Sequence, residues 1–327
     1  MKHLLKTSDL TPAQFAYLLD LAAEFKEHPL AQHDLLKGQT VVLYFAKPST
    51  RTRISFETAV ARLGGIPSTV GTADLQIGRG ETFEDTAKVV SRYSAAFVIR
   101  TFADDDVRLI SEAATIPVIN ALTDDHHPCQ SLADLLTMRE KWGALPGHKV
   151  AWVGAGNNVL HSLMEACALC GVDMSIATPV GYEPNPDIVA GAMAIAAETG
   201  AMIELTNDPR HAVMYADAIY TDAWISMGDH ESQRAARIAA LTPFRVTNSL
   251  MDYTNPGGIF MHCLPAHRGE EVTAEVIDGP DSVVFDQAEN RLHTAQAILY
   301  ALISGKLEAE ATMTAPKATQ VALPVLV

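Results

Sequence analysis

The chain alternates short runs of β-branched and aromatic residues with longer segments that carry an apolar face, and this alternation constrains its fold most. The run Thr40–Phe45 (TVVLYF) predicts a buried strand, and the residues after Pro48 keep helical spacing. The same order recurs to about residue 304. Strands that alternate with helices form parallel sheets. We therefore expect an α/β protein with two doubly wound domains, each a mostly parallel sheet with helices on both faces.

The length of 327 residues suffices for two domains of ordinary size. A short connection, Leu145–Lys149 (LPGHK), is the expected boundary. Residues 1–145 would then form the first domain and residues 146–286 the second. Residues 308–327 have low complexity, and we expect them to form a poorly ordered tail.

Charge and composition argue against several classes of protein. The formal net charge of −15 disfavours nucleic acid or an anionic membrane surface as a partner. No run reaches the roughly 18 apolar residues of a membrane span, and the N-terminus lacks the features of a signal peptide. Four scattered cysteines argue against a disulfide framework. We expect a reduced, cytoplasmic protein.

An anion site is predicted where the strand Thr40–Phe45 turns into the next helix. The segment Ser49–Arg53 (STRTR) brings hydroxyl groups, guanidinium groups and free backbone N–H groups to the positive end of the helix dipole. A phosphate is the natural ligand of such a set. Taken alone, the pattern also suits a capped helix with two surface arginines.

Further polar segments follow other predicted strands. Because ligands of parallel sheets bind beyond the carboxyl ends of the strands, one cleft between two such domains would collect all of these segments. They are Ser49–Arg53, Arg100, His127–Gln130, Asn157–Asn158, Asp222–Gly228 and His262–Arg268.

The segment Gly154–Asn158 (GAGNN) begins like a dinucleotide-binding fingerprint. The third glycine of that fingerprint is replaced by Val159, and the next predicted strand ends at Thr178 without an acidic residue to hold a ribose. Both departures disfavour NAD binding. The amides of Asn157 and Asn158 would instead face a polar group, or one of them would cap the helix.

Two other patterns predict no cofactor chemistry. Cys167 and Cys170 lie within a predicted helix, where buried thiols are expected rather than a redox pair. The acidic and histidine run at residues 124–127 has no second ligand pair at helical spacing, so we expect no metal.

The motifs together resemble the aspartate/ornithine carbamoyltransferase family, over about residues 2–306. The residues that carry the resemblance are Ser49–Arg53, His127–Gln130 with Leu132–Thr137, Asp222–Gly228 and His262–Pro265. Within the family, the Ser226-Met227-Gly228 loop and Cys263 resemble the ornithine enzymes. An aspartate enzyme is expected to have His-Pro-Leu-Pro, and a putrescine enzyme is expected to lack the Ser-Met-Gly loop.

The resemblance implies transfer of the carbamoyl group of carbamoyl phosphate to the side-chain amine of L-ornithine, giving L-citrulline and phosphate. It implies no cofactor, no metal and no covalent intermediate. It also implies a homotrimer with active sites near subunit interfaces, and a last helix, 287–305, that packs back on the first domain. Two alternatives stay open: a carbamoyltransferase for putrescine or another amine, and a non-catalytic homologue that binds carbamoyl phosphate or ornithine.

The resemblance also assigns residues to roles. Those expected to bind carbamoyl phosphate are Ser49, Thr50, Arg51, Thr52, Gln76, Arg100, His127, Gln130, Cys263, Leu264 and Arg291. Those expected to bind ornithine are Asn158, Asp222, Ser226 and Met227. Those expected to be catalytic are Cys263, Arg51, Arg100, His127 and Asp222. In the family, the loop that carries Gln76 reaches a neighbouring subunit's site. Either Cys263 or the released phosphate would accept the proton of the attacking amine.

Overall fold

The computed structural model describes residues 2–225 and 231–313. In those ranges the strands are β1 (Thr40–Phe45), β2 (Ile66–Gly71), β3 (Ala96–Arg100), β4 (Val118–Leu122), β5 (Lys149–Val153), β6 (Asp173–Ala177), β7 (Ile203–Thr206), β8 (Ala218–Thr221) and β9 (Ile259–His262). The α-helices are α1 (Pro12–Glu27), α2 (Thr50–Arg62), α3 (Phe83–Tyr93), α4 (Asp104–Ala113), α5 (Pro128–Trp142), α6 (Asn158–Leu169), α7 (Pro186–Thr199), α8 (Pro209–Val213), α9 (Glu231–Leu241), α10 (Asn248–Met251), α11 (Ala274–Ile277), α12 (Val284–Ile303) and α13 (Lys306–Met313).

The strands form two wholly parallel sheets, which confirms the predicted fold class. The first sheet has the order β2-β1-β3-β4 and the second has the order β7-β6-β5-β8-β9. In the first sheet Phe45 lies beside Arg100, and in the second Thr221 lies beside His262. The polar segments that follow these strands therefore start level with one another at the carboxyl edge of each sheet.

Side-chain caps start the helices that matter for the site. The hydroxyl of Ser49 accepts the N–H of Thr52 at 3.3 Å and so begins α2. The amide oxygen of Asn157 accepts the N–H groups of Val159 and Leu160 at 3.1 and 3.0 Å and begins α6. Both segments were expected to be helix starts, because these side chains satisfy backbone donors that have no partner within the helix.

The two sheets share one continuous apolar core. It includes Leu43 of the first sheet, Met261 of the second, and Leu135 and Leu163 on α5 and α6, which pack between the sheets. The long helix α12 follows the last strand of the second sheet but packs against α1, α2 and α5. The helix therefore connects the end of the second sheet to the helices around the first sheet. In the described ranges, no helix is both long and apolar enough to cross a membrane.

In the sequence, Gly64, Gly65 and Pro67 predict the end of a helix and the glycine-rich residues 71–80 predict a loop, so strand β2 is not predicted. The residues Ile66–Gly71 (IPSTVG) instead form an edge strand that pairs only with β1. Pro67 weakens any strand pattern, but an edge strand tolerates proline because one side of it needs no ladder hydrogen bonds. The loop itself is present from residue 72 onward, with one short 3-10 turn at Ile77–Arg79.

Two boundaries near the C-terminus also differ from expectation. The apolar run at residues 282–285 predicts a last strand. This prediction is wrong: Val283 donates one hydrogen bond to Phe260 of β9, and α12 begins at Val284. This short apolar run forms one isolated β-bridge with β9 before the helix begins. The expected tail begins later than residue 308, because α13 is helical to Met313 and Leu307 is buried. Residues 314–327 lie outside the described ranges.

Candidate active site

The first segment of the site is the N-terminal turn of α2. Thr50 is exposed there and Thr52 is buried. The guanidinium Nη2 of Arg51 donates to the backbone oxygen of Leu264 at 2.5 Å, and Leu264 follows β9 in the second sheet. Free N–H groups and the positive end of a helix dipole attract anions. The predicted anion segment therefore faces the carboxyl edge of the second sheet.

Two further guanidinium groups accompany Arg51. Arg100, at the end of β3, is 7% exposed, and Arg291, on α12, is 3% exposed. Burial and the charges of Arg291 and Arg51 lower the pKa of Arg100 to about 10. Among the described residues, the Nε atoms of Arg100 and Arg291 are buried without a hydrogen-bond partner. Buried cations are costly when they lack compensating charge, so this cluster suits a multiply charged anion.

A neutral imidazole lies beside the three arginines. Burial, and then the charges of Arg291, Arg100 and Arg51, hold the pKa of His127 well below 6.5. Its Nδ1 has no partner in the part of the chain that is described, and its backbone N–H donates to Ser162 of α6 at 2.7 Å. A neutral imidazole can still donate one N–H to a carbonyl oxygen. His127 is therefore placed to polarise a carbonyl group next to the anion site.

The buried neutral state of His127 predicts a pH dependence of stability. Its folded pKa lies below the unfolded value of 6.5, so the unfolded chain binds more protons below that pH, and stability should fall as the pH decreases from 6.5. Replacing His127 with glutamine should reduce this slope by up to about 1.4 kcal/mol per pH unit. Urea unfolding between pH 5 and 8 measures it. An unchanged slope in His127→Gln would contradict the neutral assignment.

Hydrogen bonds of Arg291 connect α12 to Gln130 on α5 and to Thr52 on α2. Nη1 of Arg291 donates to the amide oxygen of Gln130 at 2.5 Å, and Nη2 donates to the hydroxyl of Thr52 at 3.1 Å. All three side chains are buried. Arg291 thus reaches the anion segment although 239 positions separate it from Thr52.

The second half of the site is a thiol–carboxylate pair at the ends of β8 and β9. The thiol of Cys263 donates to Oδ1 of Asp222 at 3.0 Å, and the amide of Asn157 donates to Oδ2 at 2.7 Å. Burial and the negative charge of Asp222 raise the pKa of Cys263 well above its usual value. The thiol therefore keeps its proton, and the carboxylate of Asp222 is the charged group that a substrate cation would meet.

The structure brings together most of the predicted residues, with four exceptions. The amide of Asn158 donates to the backbone oxygen of Thr123 at 2.6 Å, so it connects the two sheets in this conformation. Gln76 is exposed on the loop after β2. Ser226 and Met227 lie outside the described residues, and their expected role in ornithine binding stays a prediction.

Sequence reasoning missed a buried pair behind Cys263. His262 Nδ1 accepts the N–H of Leu264 at 2.8 Å, so its Nε2 carries the proton that is donated to Glu271 at 3.3 Å. Both side chains are fully buried. Leu264 has a φ of 59°, which bulky residues rarely adopt, and these bonds hold it there. Glu271 had no local signal, because only the tertiary fold brings it to His262.

Two groups of described residues have the donor types of a cation site. Asp222, His262 and Cys263 form one, and His267, Glu270 and Glu271 form the other, with ligand atoms within 4.8 Å of one another in each. In the first group both nitrogens of His262 are hydrogen-bonded, as described above. In the second, Glu270 pairs with Arg234 at 3.4 Å. Either group would have to give up such contacts to hold an ion.

Two models of known protein families match the chain and assign it to a family. The model described as "Aspartate/ornithine carbamoyltransferase, carbamoyl-P binding domain" matches residues 2–140, which contain the anion segment. The model described as "Aspartate/ornithine carbamoyltransferase, Asp/Orn binding domain" matches residues 146–302, which contain Asp222 and Cys263. The chain therefore belongs to the aspartate/ornithine carbamoyltransferase family, as the sequence motifs predicted.

Individual relatives that are about 50% identical to the chain are named ornithine carbamoyltransferases. The ornithine carbamoyltransferase of Acidothermus cellulolyticus is 50% identical over 303 residues, which are 93% of this chain and 97% of that protein. The ornithine carbamoyltransferase of Bacillus subtilis is 49% identical over 302 residues, 92% of this chain and 94% of that protein. The structure of ornithine carbamoyltransferase from Pyrococcus furiosus is similar with a TM-score of 0.89 and 49% identity, covering 93% of this chain and 97% of that one.

Proposed function

We propose that the chain transfers the carbamoyl group from carbamoyl phosphate to the side-chain amine of L-ornithine, giving L-citrulline and phosphate. One observation carries the proposal: three arginines and a neutral histidine face the thiol–carboxylate pair Cys263–Asp222 across one cleft. The cationic side suits a phosphorylated substrate, and the anionic side suits a substrate with an ammonium group. The relatives named ornithine carbamoyltransferase support the same pair of substrates.

The phosphate half of the reaction belongs to the start of α2. Ser49, Thr50 and Thr52 offer hydroxyl and backbone N–H donors, and Arg51 offers a guanidinium group that now contacts Leu264. In the complex, Arg51 exchanges that carbonyl oxygen for phosphate oxygens, because charge-assisted hydrogen bonds are the stronger ones. Leu264 and Cys263 then lie between the two substrates.

The carbamoyl half uses the donors that lack partners. Arg100 and His127 donate to the carbonyl oxygen, where negative charge develops as the amine attacks, and Gln130 orients the carbamoyl group. Donors fixed in advance stabilise such charge without reorganising. Arg291 adds a cation and holds Gln130 in place. These side chains account for the rate by positioning and charge, without a covalent intermediate.

The ornithine half begins at Asp222, whose carboxylate receives the α-ammonium group. Asn158, Ser226 and Met227 complete this subsite in the proposal, once Asn158 releases Thr123. The neutral side-chain amine attacks the carbonyl carbon, a tetrahedral intermediate forms, and its C–O bond to phosphate breaks. Cys263 already holds its proton, so the departing phosphate is the acceptor for the amine proton.

The oligomeric state and the cellular location extend the proposal. We propose a cytoplasmic homotrimer in which Gln76 reaches a neighbouring subunit's site, because Gln76 is exposed on its loop. Exposed apolar side chains on two elements that pack together support an interface there: Ile54 on α2 and Ile66 on β2 are 57% and 60% exposed. Sedimentation of the purified chain tests the trimer.

The decisive experiment measures ureido-product formation from carbamoyl phosphate with ornithine, putrescine, aspartate and N-acetylornithine in parallel. A strong preference for ornithine is expected. N-acetylornithine lacks the free α-ammonium group that Asp222 recognises, and putrescine keeps an ammonium group there but lacks the α-carboxylate that the rest of the subsite would bind. Preference for another amine would retain the phosphate half of the proposal and overturn the ornithine half. No product from any amine would favour a non-catalytic binding protein.

The thiol of Cys263 should contribute to ornithine use rather than to folding. Cys263→Ser keeps a hydroxyl that can donate to Asp222, so we expect kcat/KM for ornithine to fall only about tenfold, with the melting temperature nearly unchanged. Steady-state kinetics and thermal unfolding measure both. Cys170→Ser, at the residue that follows α6 and away from the cleft, is the matched control and should leave the kinetics unchanged. An unfolded Cys263→Ser chain would instead make the thiol structural.

A further inference from the structure

A fully buried carboxyl group lies beneath the proposed site, in a position that the transfer steps above do not use. Asp134 is on α5, one turn after Gln130, and is 0% exposed. It accepts hydrogen bonds from the amide of Gln130 at 2.8 Å and from the amide of Gln287 at 2.7 Å. The hydroxyl of Tyr220 lies 3.3 and 3.2 Å from its two oxygens. Three donors from three elements thus converge on one carboxylate.

These bonds fix which way each amide points. The oxygen of Gln130 faces Arg291, so its nitrogen must face Asp134. The oxygen of Gln287 accepts the backbone N–H of His262 at 3.0 Å, so its nitrogen must also face Asp134. Turning either amide over would place its oxygen against the carboxylate and its N–H groups against another donor. Asp134 therefore selects one of two orientations for both side chains.

Each bond leads to a different segment of the site. Gln130 continues through Arg291 to Thr52 at the start of α2. Gln287 continues to the backbone of His262, the residue before Cys263. A carboxylate that is hydrogen-bonded to side chains from several segments can fix the relative positions of those segments, because a buried network in which every group has a partner is rigid.

The third bond leads to the ornithine side. Tyr220 is on β8, two residues before Asp222, and it also accepts a bond from Gln287 at 2.9 Å. Burial raises the pKa of Asp134 to about 7, although these hydrogen bonds and the charge of Arg291 act to lower it. Burial of a carboxylate is costly unless hydrogen bonds compensate it, and the three donors that converge on Asp134 indicate a directional role.

We propose that Asp134 is a positioning residue for carbamoyl transfer. Its carboxylate orients the amide of Gln130 toward the carbamoyl group, and through Gln287 it holds the strand end that carries the thiol. The inference rests on the proposed function, because it assigns Gln130 to the carbamoyl half of the substrate. Asp134 touches no substrate atom and acts only through the side chains it orients.

The first test compares ligand affinities in the absence of ornithine. Calorimetry gives the dissociation constants of carbamoyl phosphate and of inorganic phosphate for the wild type and for Asp134→Asn at about pH 8, where the carboxyl group is mainly ionised. The isosteric amide removes the negative charge and leaves one uncharged oxygen for the amides of Gln130 and Gln287 and the hydroxyl of Tyr220, so the bond that orients Gln130 weakens. We expect the preference for carbamoyl phosphate over phosphate to fall about tenfold or more, while phosphate affinity stays within about threefold.

The second test measures turnover and coupling. In Asp134→Asn, kcat should fall about 10²-fold, as expected when a reacting group is misplaced. Gln130→Ala should lose a similar factor, and the double variant should lose no more than either, because Asp134 acts through Gln130. Tyr220→Phe is the control: it removes one donor, keeps the bond between Asp134 and Gln130, and should retain the preference for carbamoyl phosphate.

Each outcome decides the proposal. An unchanged preference in Asp134→Asn, equal losses for both ligands, or additive losses in the double variant would overturn it. If Asp134→Asn fails to fold, Gln287→Met removes the other bond, and it should raise KM for ornithine more than KM for carbamoyl phosphate; equal effects would again overturn the proposal. Loss of ornithine transfer in the wild type, with the ligand preference intact, would refute the proposed function and leave the orienting role standing.

Discussion

Arg51→Ala should lower kcat/KM for carbamoyl phosphate by about 10³-fold, the largest effect expected of any single substitution. Arg51 is the guanidinium at the first turn of α2, and its present partner is only a backbone oxygen, Leu264. Each hydrogen bond between a charged donor and phosphate contributes about 1.5–3 kcal/mol, and a guanidinium can make two at once. Initial rates with carbamoyl phosphate varied at saturating ornithine measure the loss.

Arg53→Ala is the matched control for Arg51→Ala. Arg53 lies two residues further along α2, is largely exposed, and pairs with Glu57 at 2.9 Å on the helix surface. Surface pairs of this kind contribute little, so kcat/KM should stay within about threefold of the wild type. Equal losses in the two variants would mean that the start of α2 needs both arginines to fold, and the anion site would have to be sought elsewhere.

Local sequence patterns predict the part of the site that lies directly after the strands. A strand followed by a capping residue and a helix has only one edge at which its polar residues can gather, so Ser49 and Asn157 were placed correctly as helix starts. The parallel order of both sheets follows from the same alternation of strands and helices. Local pattern is sufficient for the helix starts because each capping contact spans only two or three residues in sequence.

The rest of the site depends on contacts between distant parts of the chain. Arg291 meets Thr52 only because α12 crosses back over α1, α2 and α5, and no local pattern of α12 encodes that path. Glu271 reaches His262 through a loop, and its acidic side chain would be predicted to face solvent. Arg291 was identified through family resemblance alone, and Glu271 was not identified. The edge strand β2 was not predicted for a local reason, because Pro67 is atypical of a strand.

Asp222→Asn should separate the two substrates of the proposed reaction. Asp222 is the carboxylate that accepts from the thiol of Cys263 and the amide of Asn157, and it is the charged group available to the α-ammonium group of ornithine. Losing one partner of a desolvated charge pair costs about 2–5 kcal/mol. We therefore expect kcat/KM for ornithine to fall about 10²-fold or more, with KM for carbamoyl phosphate within about threefold of the wild type. Initial rates with each substrate varied in turn measure both.

The same strand offers the control. Asp217 directly precedes β8, at the end opposite to Asp222, and it accepts from the backbone of Lys149 and the amide of Asn255 at 2.8 Å each. Asp217→Asn should lower stability and leave KM for ornithine unchanged, because the carboxylate lies at the wrong edge of the sheet to meet a ligand. The α-ammonium group also explains selectivity against N-acetylornithine, in which that charge is blocked, so Asp222→Asn should lose its preference for ornithine over N-acetylornithine. If that preference survives, another residue reads the α-ammonium group, and Asp222 serves only to hold the thiol of Cys263.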